Sequence, residues 1–294
     1  QSFTYQKESR ALRISPTGGS AENNYIDISP NNVKEDTKTI QFRFKPDFDS
    51  LQPGVQTIMH DSASSGGHLR VVVSQSIDLS KLDNASFAHV GLVSGSNYFS
   101  YSDLIPIYNG DMWNFTVTFD SGSTNTASLF CTNATPNKNI YLATANLGVE
   151  TYFNQFAAGN RGIGFGAGIN LGLSQFKNGG TTEGNYQEIR FFTEKLNKDT
   201  IATQSLSPFN YNGNTISSSY ETLYLRAPLG SNNRDTNEEN FTDNKAPKAT
   251  FRSLYSASIK ANNPDVNFVS IEETHHLTTP DTVGSGMVSG KVRI

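Results

Sequence analysis

Glu272-Glu273-Thr274-His275-His276 gathers the densest set of potential metal ligands in the chain. On a strand, Glu273 and His275 would share one face and Glu272 and His276 the other, so neither face offers more than two ligands, fewer than a zinc site uses. His60, His68 and His89 are dispersed. Two carboxylate pairs could be weighed as acid and nucleophile for glycoside hydrolysis: Asp47 with Asp49, just after Pro46, and Glu188 with Glu194, across a turn. Both pairs read as solvated loop carboxylates. Gly162-Ile163-Gly164-Phe165-Gly166-Ala167 formally satisfies G-x-G-x-x-A. A dinucleotide fingerprint must open a helix, however, and the glycines at 162, 164, 166, 168 and 172 would not make one. No G-x-S-x-G elbow and no local Ser-His-Asp arrangement occurs, so nucleophilic catalysis has no support. Cys131 is the only cysteine, which excludes an intrachain disulfide; in Leu129-Phe130-Cys131 it reads as a buried small hydrophobe. The chain reads as a protein that is not an enzyme.

The elements that must position these residues are strands. Runs at Gln56 to Met59, Leu69 to Ser74, Phe87 to Val93, Asn114 to Phe119, Ala127 to Cys131 and Ile140 to Ala143 are separated by Gly, Asn, Ser and Asp clusters, the pattern of a sandwich. Helical periodicity is confined to Asn197 to Leu206, where Leu196 and Ile201 pack back and Pro208 ends the segment. Residues 162 to 173 alternate glycine with Ile163, Phe165, Ala167, Ile169, Leu171 and Leu173, giving a strand with one nearly bare face; the glycines make room for a covering segment, another backbone or a flat ligand. The length of 294 residues does not by itself separate one domain from two. Hydrophobic residues make up 35% and charged residues 17%, with net charge -4 and scattered Lys and Arg, which leaves no electrostatic footprint for nucleic acid or an anionic membrane. No run approaches the roughly 18 apolar residues of a spanning helix.

The stretch from Gly184 to Phe209 carries the strongest family signal. Gly184-Asn185-Tyr186-Gln187-Glu188-Ile189-Arg190-Phe191 followed by Leu196 and Ile201 resembles the closing phrase G-x-x-D-E-V-R-I-Y-x-R-x-L-S-x-x-x-I of the concanavalin A-like lectins and glucanases, in particular laminin-G-like and pentraxin-like jelly rolls. Gln187 stands where the family has Asp. Upstream, Tyr25-Ile26-Asp27-Ile28 is similar to the early D-Y-V-D-I, and Thr39 to Pro46 to F-T-I-E-A-W-I-K-P. Trp113-Asn114-Phe115-Thr116-Val117-Thr118-Phe119 matches W-H-H-V-A-V-T, and Asp120-Ser121-Gly122 follows as a hairpin turn. Ala11 to Pro30 reads as a first strand pair around Gly18-Gly19. The resemblance spans roughly residues 10 to 210 and implies an all-β fold: an antiparallel β-sandwich, or jelly roll, with Leu12, Ile26, Ile28, Ile40, Phe42, Phe44, Val71, Val90, Trp113, Phe115, Val117, Phe130, Ile163, Phe165, Ile189 and Phe191 in its core. The glucanases of the superfamily carry E-x-D-x-x-E on one strand, a pattern this chain lacks.

The same resemblance implies sugar recognition by loop oxygens beside an aromatic platform, for which Tyr98, Phe99, Tyr101 and Tyr108 are available. It also makes calcium possible, with Asp61, Asp103, Asp111 and Asp120 as candidate donors but no loop signature and hence no assigned ligand. No other cofactor is expected. Asn84, Asn114, Asn133 and Asn240 open glycosylation sequons, of which Asn114 falls inside a core strand. Residues 1–229 form the expected sandwich, including a strand from Tyr220 to Arg226. Residues 230–294 form a polar linker, dense in Asn, Asp and Glu as far as Lys248, and an extended arm in which Thr250 to Ile259 and Val266 to Ile271 could be strands. Tyr220 to Gly230, Thr279 to Gly284 and Lys291-Val292-Arg293-Ile294 resemble phrases of long virion proteins of marine phages and large viruses. Together with a start at Gln1 and an end on a strand-like run, this suggests a processed product or a piece of something longer. The reading that follows is a structural or attachment component at a virion surface, with other structural chains as partners in a homo-oligomer or larger assembly. The alternative is a secreted or cell-surface module that binds surface glycans.

Overall fold

A computed structural model describes residues 3–14, 25–28, 33–34, 36–46, 54–63, 68–75, 87–94, 98–120, 126–134, 140–148, 161–166, 180–181, 184–206, 210, 212–215, 222–227, 229 and 267–277, with side chains described for part of the strands. One sheet carries, in spatial order, β10 (Ile140–Gly148), β9 (Thr126–Ala134), β8 (Trp113–Asp120), β3 (Thr39–Pro46), β13 (Gly184–Phe192), β1 (Phe3–Ile14) and β15 (Asn267–Leu277), with β14 (Leu223–Ala227) also paired to β13. The second carries β2 (Tyr25–Ile28), β11 (Arg161–Gly166), β4 (Gly54–Ala63), β5 (His68–Gln75), β6 (His89–Ser94) and β7 (Tyr98–Tyr101), with the short β12 (Gly180–Thr181) beside β4. Early strands pair with late ones: β1 with β13, β2 with β11, β3 with β8 and β13. The chain is therefore doubled over and wound across both layers, an antiparallel jelly-roll sandwich.

The core lies where alternation sends the apolar residues. Ile40, Phe42 and Phe44 of β3 and Phe115 and Val117 of β8 are fully buried. Phe165 of the second sheet meets Phe42 edge-on at 5.1 Å, while Phe42 and Phe115 stack at 5.2 Å. Burying each such ring contributes about 1.5–3 kcal/mol. Tyr186 adds a polar tie across the layers by donating its hydroxyl to the Ile58 carbonyl at 2.9 Å. Of the expected core, Ile40, Phe42, Phe44, Val71, Val90, Trp113, Phe115, Val117, Ile163, Phe165, Ile189 and Phe191 join the main cluster. The side chains of Leu12, Ile26 and Ile28 lie outside the described residues. Phe130 is buried elsewhere, with Phe192, Leu196, Ile201 and Leu223 on the other side of the first sheet.

Two expectations are corrected. The segments around Gly18-Gly19 do not form a hairpin, because β1 and β2 belong to different sheets; their proximity in sequence serves the crossing between layers. Gly162 to Gly166 lie within β11, paired on both sides by β2 and β4, and the room left by Gly164 is taken by the His60 ring, since a Cβ there would come 2.1 Å from His60 Cε1. The strand expected over Val266 to Ile271 is described as β15, from Asn267 to Leu277, and pairs along β1 from Phe3 opposite Leu277 to Arg13 opposite Asn267. Thr250 to Ile259 lie outside the described residues.

Candidate functional site

The expected aromatic platform divides in two. Tyr108 is 4% exposed and belongs to the core, where burial pushes its hydroxyl pKa up to about 12. It cannot meet a ligand, because the apolar run Ile105-Pro106-Ile107 carries it inward with Ile105 paired to Ala88. Tyr98, Phe99 and Tyr101 lie on β7, at one edge of the second sheet; the side chains of the first two are outside the described residues. Tyr101 is 39% exposed and lies over Gly91 of β6, directly opposite it in register. A Cβ at Gly91 would come 2.4 Å from Tyr101 Cδ1, so glycine is what lets the ring lie against the sheet. His89 meets the same ring at 6.5 Å in an edge geometry, held by its Nδ1 donating to the Ser102 carbonyl at 2.7 Å. Burial raises the Tyr101 hydroxyl pKa and the nearby Arg70 charge opposes it; Arg70 is itself lowered by burial. Phe87 and Leu104, 37% and 51% exposed, flank the Ala88–Ile105 bridge and extend this apolar edge. A ring lying flat on a sheet beside a guanidinium and an imidazole can stack on the apolar face of a sugar and hydrogen-bond its hydroxyls.

Glu188 is not the solvated loop carboxylate expected from the sequence. It is fully buried inside β13, at φ 50, where Gln187 pairs with Arg43 and Arg190 with Gln41. Two residues, 188 and 189, thus oppose Phe42 alone, which defines a β-bulge. The extra residue keeps Glu188 on the outer face while Ile189 enters the core. There, Glu188 Oε2 accepts from Arg190 Nε and Nη2 at 2.9 and 2.7 Å and from Arg226 Nε at 2.9 Å, and Oε1 accepts from Arg226 Nη2 at 2.8 Å. Arg190 continues to Gln41 Oε1 at 3.0 Å, and Gln41 to Gln204 of the helix α1 (Lys198–Leu206) at 2.6 Å. A carboxylate held by two guanidinium groups and closed off from water has no route to a substrate. Glu194, its supposed partner, accepts from the Asn214 backbone N–H at 3.2 Å and Thr222 Oγ1 at 2.7 Å and so holds a turn.

The candidate calcium donors are held apart. Asp61 is buried in β4, and Asp103 follows β7. Asp111 and Asp120 stand at opposite ends of β8, the first accepting from Asn109 and Asn133 and the second from Lys195 at 2.6 Å. Among the described residues no three His, Cys, Asp or Glu side chains come together as a metal site. Glu272 to His276 are strand, opposite Glu8 to Thr4. Asp47, Asp49, Asn84 and Asn240 lie outside the described residues. Asn114 is buried and donates to Ser205 Oγ at 3.3 Å, which makes its sequon inaccessible in the folded chain. Cys131 is buried, and desolvation raises its thiol pKa well above the ordinary value.

No family model matches the chain, and no curated protein matches it. Among solved structures, it is similar to the native heptameric SAP-like pentraxin from Limulus polyphemus, with 11% identity over 92% of this chain and 94% of the other and a TM-score of 0.42. The class of the protein accordingly rests on its own strand order: an all-β jelly-roll sandwich with a late strand added at one sheet edge. Among the described residues, no helix is long and apolar enough to cross a membrane.

Proposed function

We propose that the chain is a non-catalytic attachment module, a lectin-like jelly roll displayed on the surface of a virus particle, where it engages glycans and neighbouring structural chains. The observation that carries this reading is the Tyr101 ring seated on Gly91, with one face against the sheet, more than a third of its surface open, and His89 and Arg70 beside it. Tyr98 and Phe99 of the same strand remain candidates beside it, while Tyr108 drops out. The burial of Glu188 between Arg190 and Arg226 supports a binding role over hydrolysis.

A glycan array probed with the purified chain and with Tyr101→Ala tests the binding. The native chain is expected to retain at least one glycan and the variant to bind it roughly tenfold more weakly, the loss typical of one stacking aromatic. Binding by neither, or equally by both, would sink the platform. Mass spectrometry of purified particles tests the location: if they lack this polypeptide, the reading reduces to a secreted or cell-surface glycan-binding module, which the same ring geometry supports.

A further inference from the structure

The opposite sheet carries a second concavity of different chemistry. Helix α1 lies on the outer face of the first sheet through Gln204 and through Ser205, which bonds Thr132 and Asn114. Between this helix and residues 210 and 212–215 lies a cleft of about 390 Å³, toward the lower end of the roughly 300–1,000 Å³ of small-molecule sites. Every described residue that lines it is Asn, Asp, Thr, Gln or Gly. The walls are fixed from behind. Asn214 Oδ1 accepts from the Asn197 backbone N–H at 2.9 Å and from Thr200 Oγ1 at 3.1 Å, while its Nδ2 donates to the Lys195 carbonyl at 2.9 Å. Gln204 Nε2 donates to the Asn212 carbonyl at 2.9 Å, and the buried Arg190 holds the Asn210 carbonyl at 3.1 Å.

That composition selects among ligands. Among the described residues the cleft's apolar surface comes only from the carbon atoms of these polar side chains, with no large apolar side chain for an apolar molecule to pack on. An anion would meet Asp199, the one charged side chain among the described residues of the lining, with no basic side chain among them to offset it. A hard divalent cation is held by several carboxylate or carbonyl oxygens, and a single carboxylate is a poor start. A neutral polyol, by contrast, pairs hydroxyl donors with amide and carboxylate oxygens and hydroxyl acceptors with amide N–H groups, and ordered walls lower the entropy lost on binding. We propose that the cleft between α1 and residues 210 and 212–215 is a second saccharide site, specific for short neutral sugars and independent of the Tyr101 platform on the other sheet.

The test is an amide-shift titration of the full-length ¹⁵N-labelled chain with glucose, galactose, mannose, N-acetylglucosamine and their β-linked disaccharides, and separately with calcium chloride and sodium phosphate. At least one sugar is expected to shift amides of 197–204 and 210–215, equally in the native chain and in Tyr101→Ala. Thr203→Arg, at a helix position where arginine is the better helix former, fills the cleft and should weaken that response roughly tenfold or more. Asn212→Ala, which leaves the main chain bonded to Gln204, should weaken it as well and serves if the arginine variant does not fold. The inference is overturned if no sugar shifts these amides, if only calcium or phosphate does, or if the response survives both variants unchanged. Loss of the response in Tyr101→Ala would also overturn the independence of the cleft, whereas its retention beside a failed glycan array would remove the platform alone.

Discussion

Glu188 shows how far one side chain can depart from what its neighbours in sequence suggest. The closing phrase that contains it was legible, because Ile189, Phe191, Leu196 and Ile201 repeat at strand and helix spacing and all are buried. Its role was not legible: a two-residue count carried through position 188 has no place for an extra residue, and nothing about glutamate announces a positive φ. Replacing it by glutamine would leave Arg190 and Arg226 buried beside a neutral amide. Glu188→Gln is therefore expected to lose about 3–5 kcal/mol of stability in urea unfolding, and a change below about 1 kcal/mol would show that the arginines find other compensation. Tyr108 errs in the same direction, an aromatic assigned to the surface that is packed inside. Its folded pKa of about 12 lies above the ordinary value of 10.0, so this stabilisation is complete below pH 10 and is lost as pH rises through 12. Tyr108→Phe should accordingly flatten the fall in stability across that window, and an unchanged slope in alkaline denaturation would exclude the effect.

At the scale of elements, alternation performed best where one face meets the apolar core. β3 and β8 alternate apolar side chains toward the core with Thr, Gln, Arg and Asn on the other face, although both faces are buried. Helix α1 was read from Leu196, Ile201 and Pro208; the structure adds its N-cap, Asn197, whose Oδ1 accepts from the Thr200 backbone N–H at 2.8 Å. What lies beneath it could not be read in the same way. Its buried face is Ile201, Gln204 and Ser205, and it meets Gln41, Asn114 and Thr132 through hydrogen bonds. A polar interface gives no hydrophobic signal, so the cleft beside the helix was missed although Asn210, Asn212 and Asn214 recur at every second position. The β1–β2 connection failed for a related reason: a Gly-Gly turn looks alike in sequence whether it joins neighbours in one sheet or crosses between two.

For the whole molecule, the sequence led to the expectation of a sandwich followed by a polar tail and left open whether the tail's strand would pair with the sandwich or with a neighbour. β15 lies along β1, and β1 has only Leu12, Arg13 and Ile14 paired to β13 on its other side. A chain ended after Leu229 is expected to keep a cooperative transition yet self-associate in size-exclusion chromatography, because the length of β1 becomes an open edge. A monomer of unchanged stability would show that β15 contributes nothing to closing the sheet. The same pairing sets a schedule for synthesis. Phe3 to Ile14 leave the ribosome well before their native partners, residues 184 to 186 and 267 to 277, so this strand must stay unpaired while the intervening chain is made and depends on folding helpers or on its own charges, Lys7, Glu8, Arg10 and Arg13, to avoid wrong partners in the meantime.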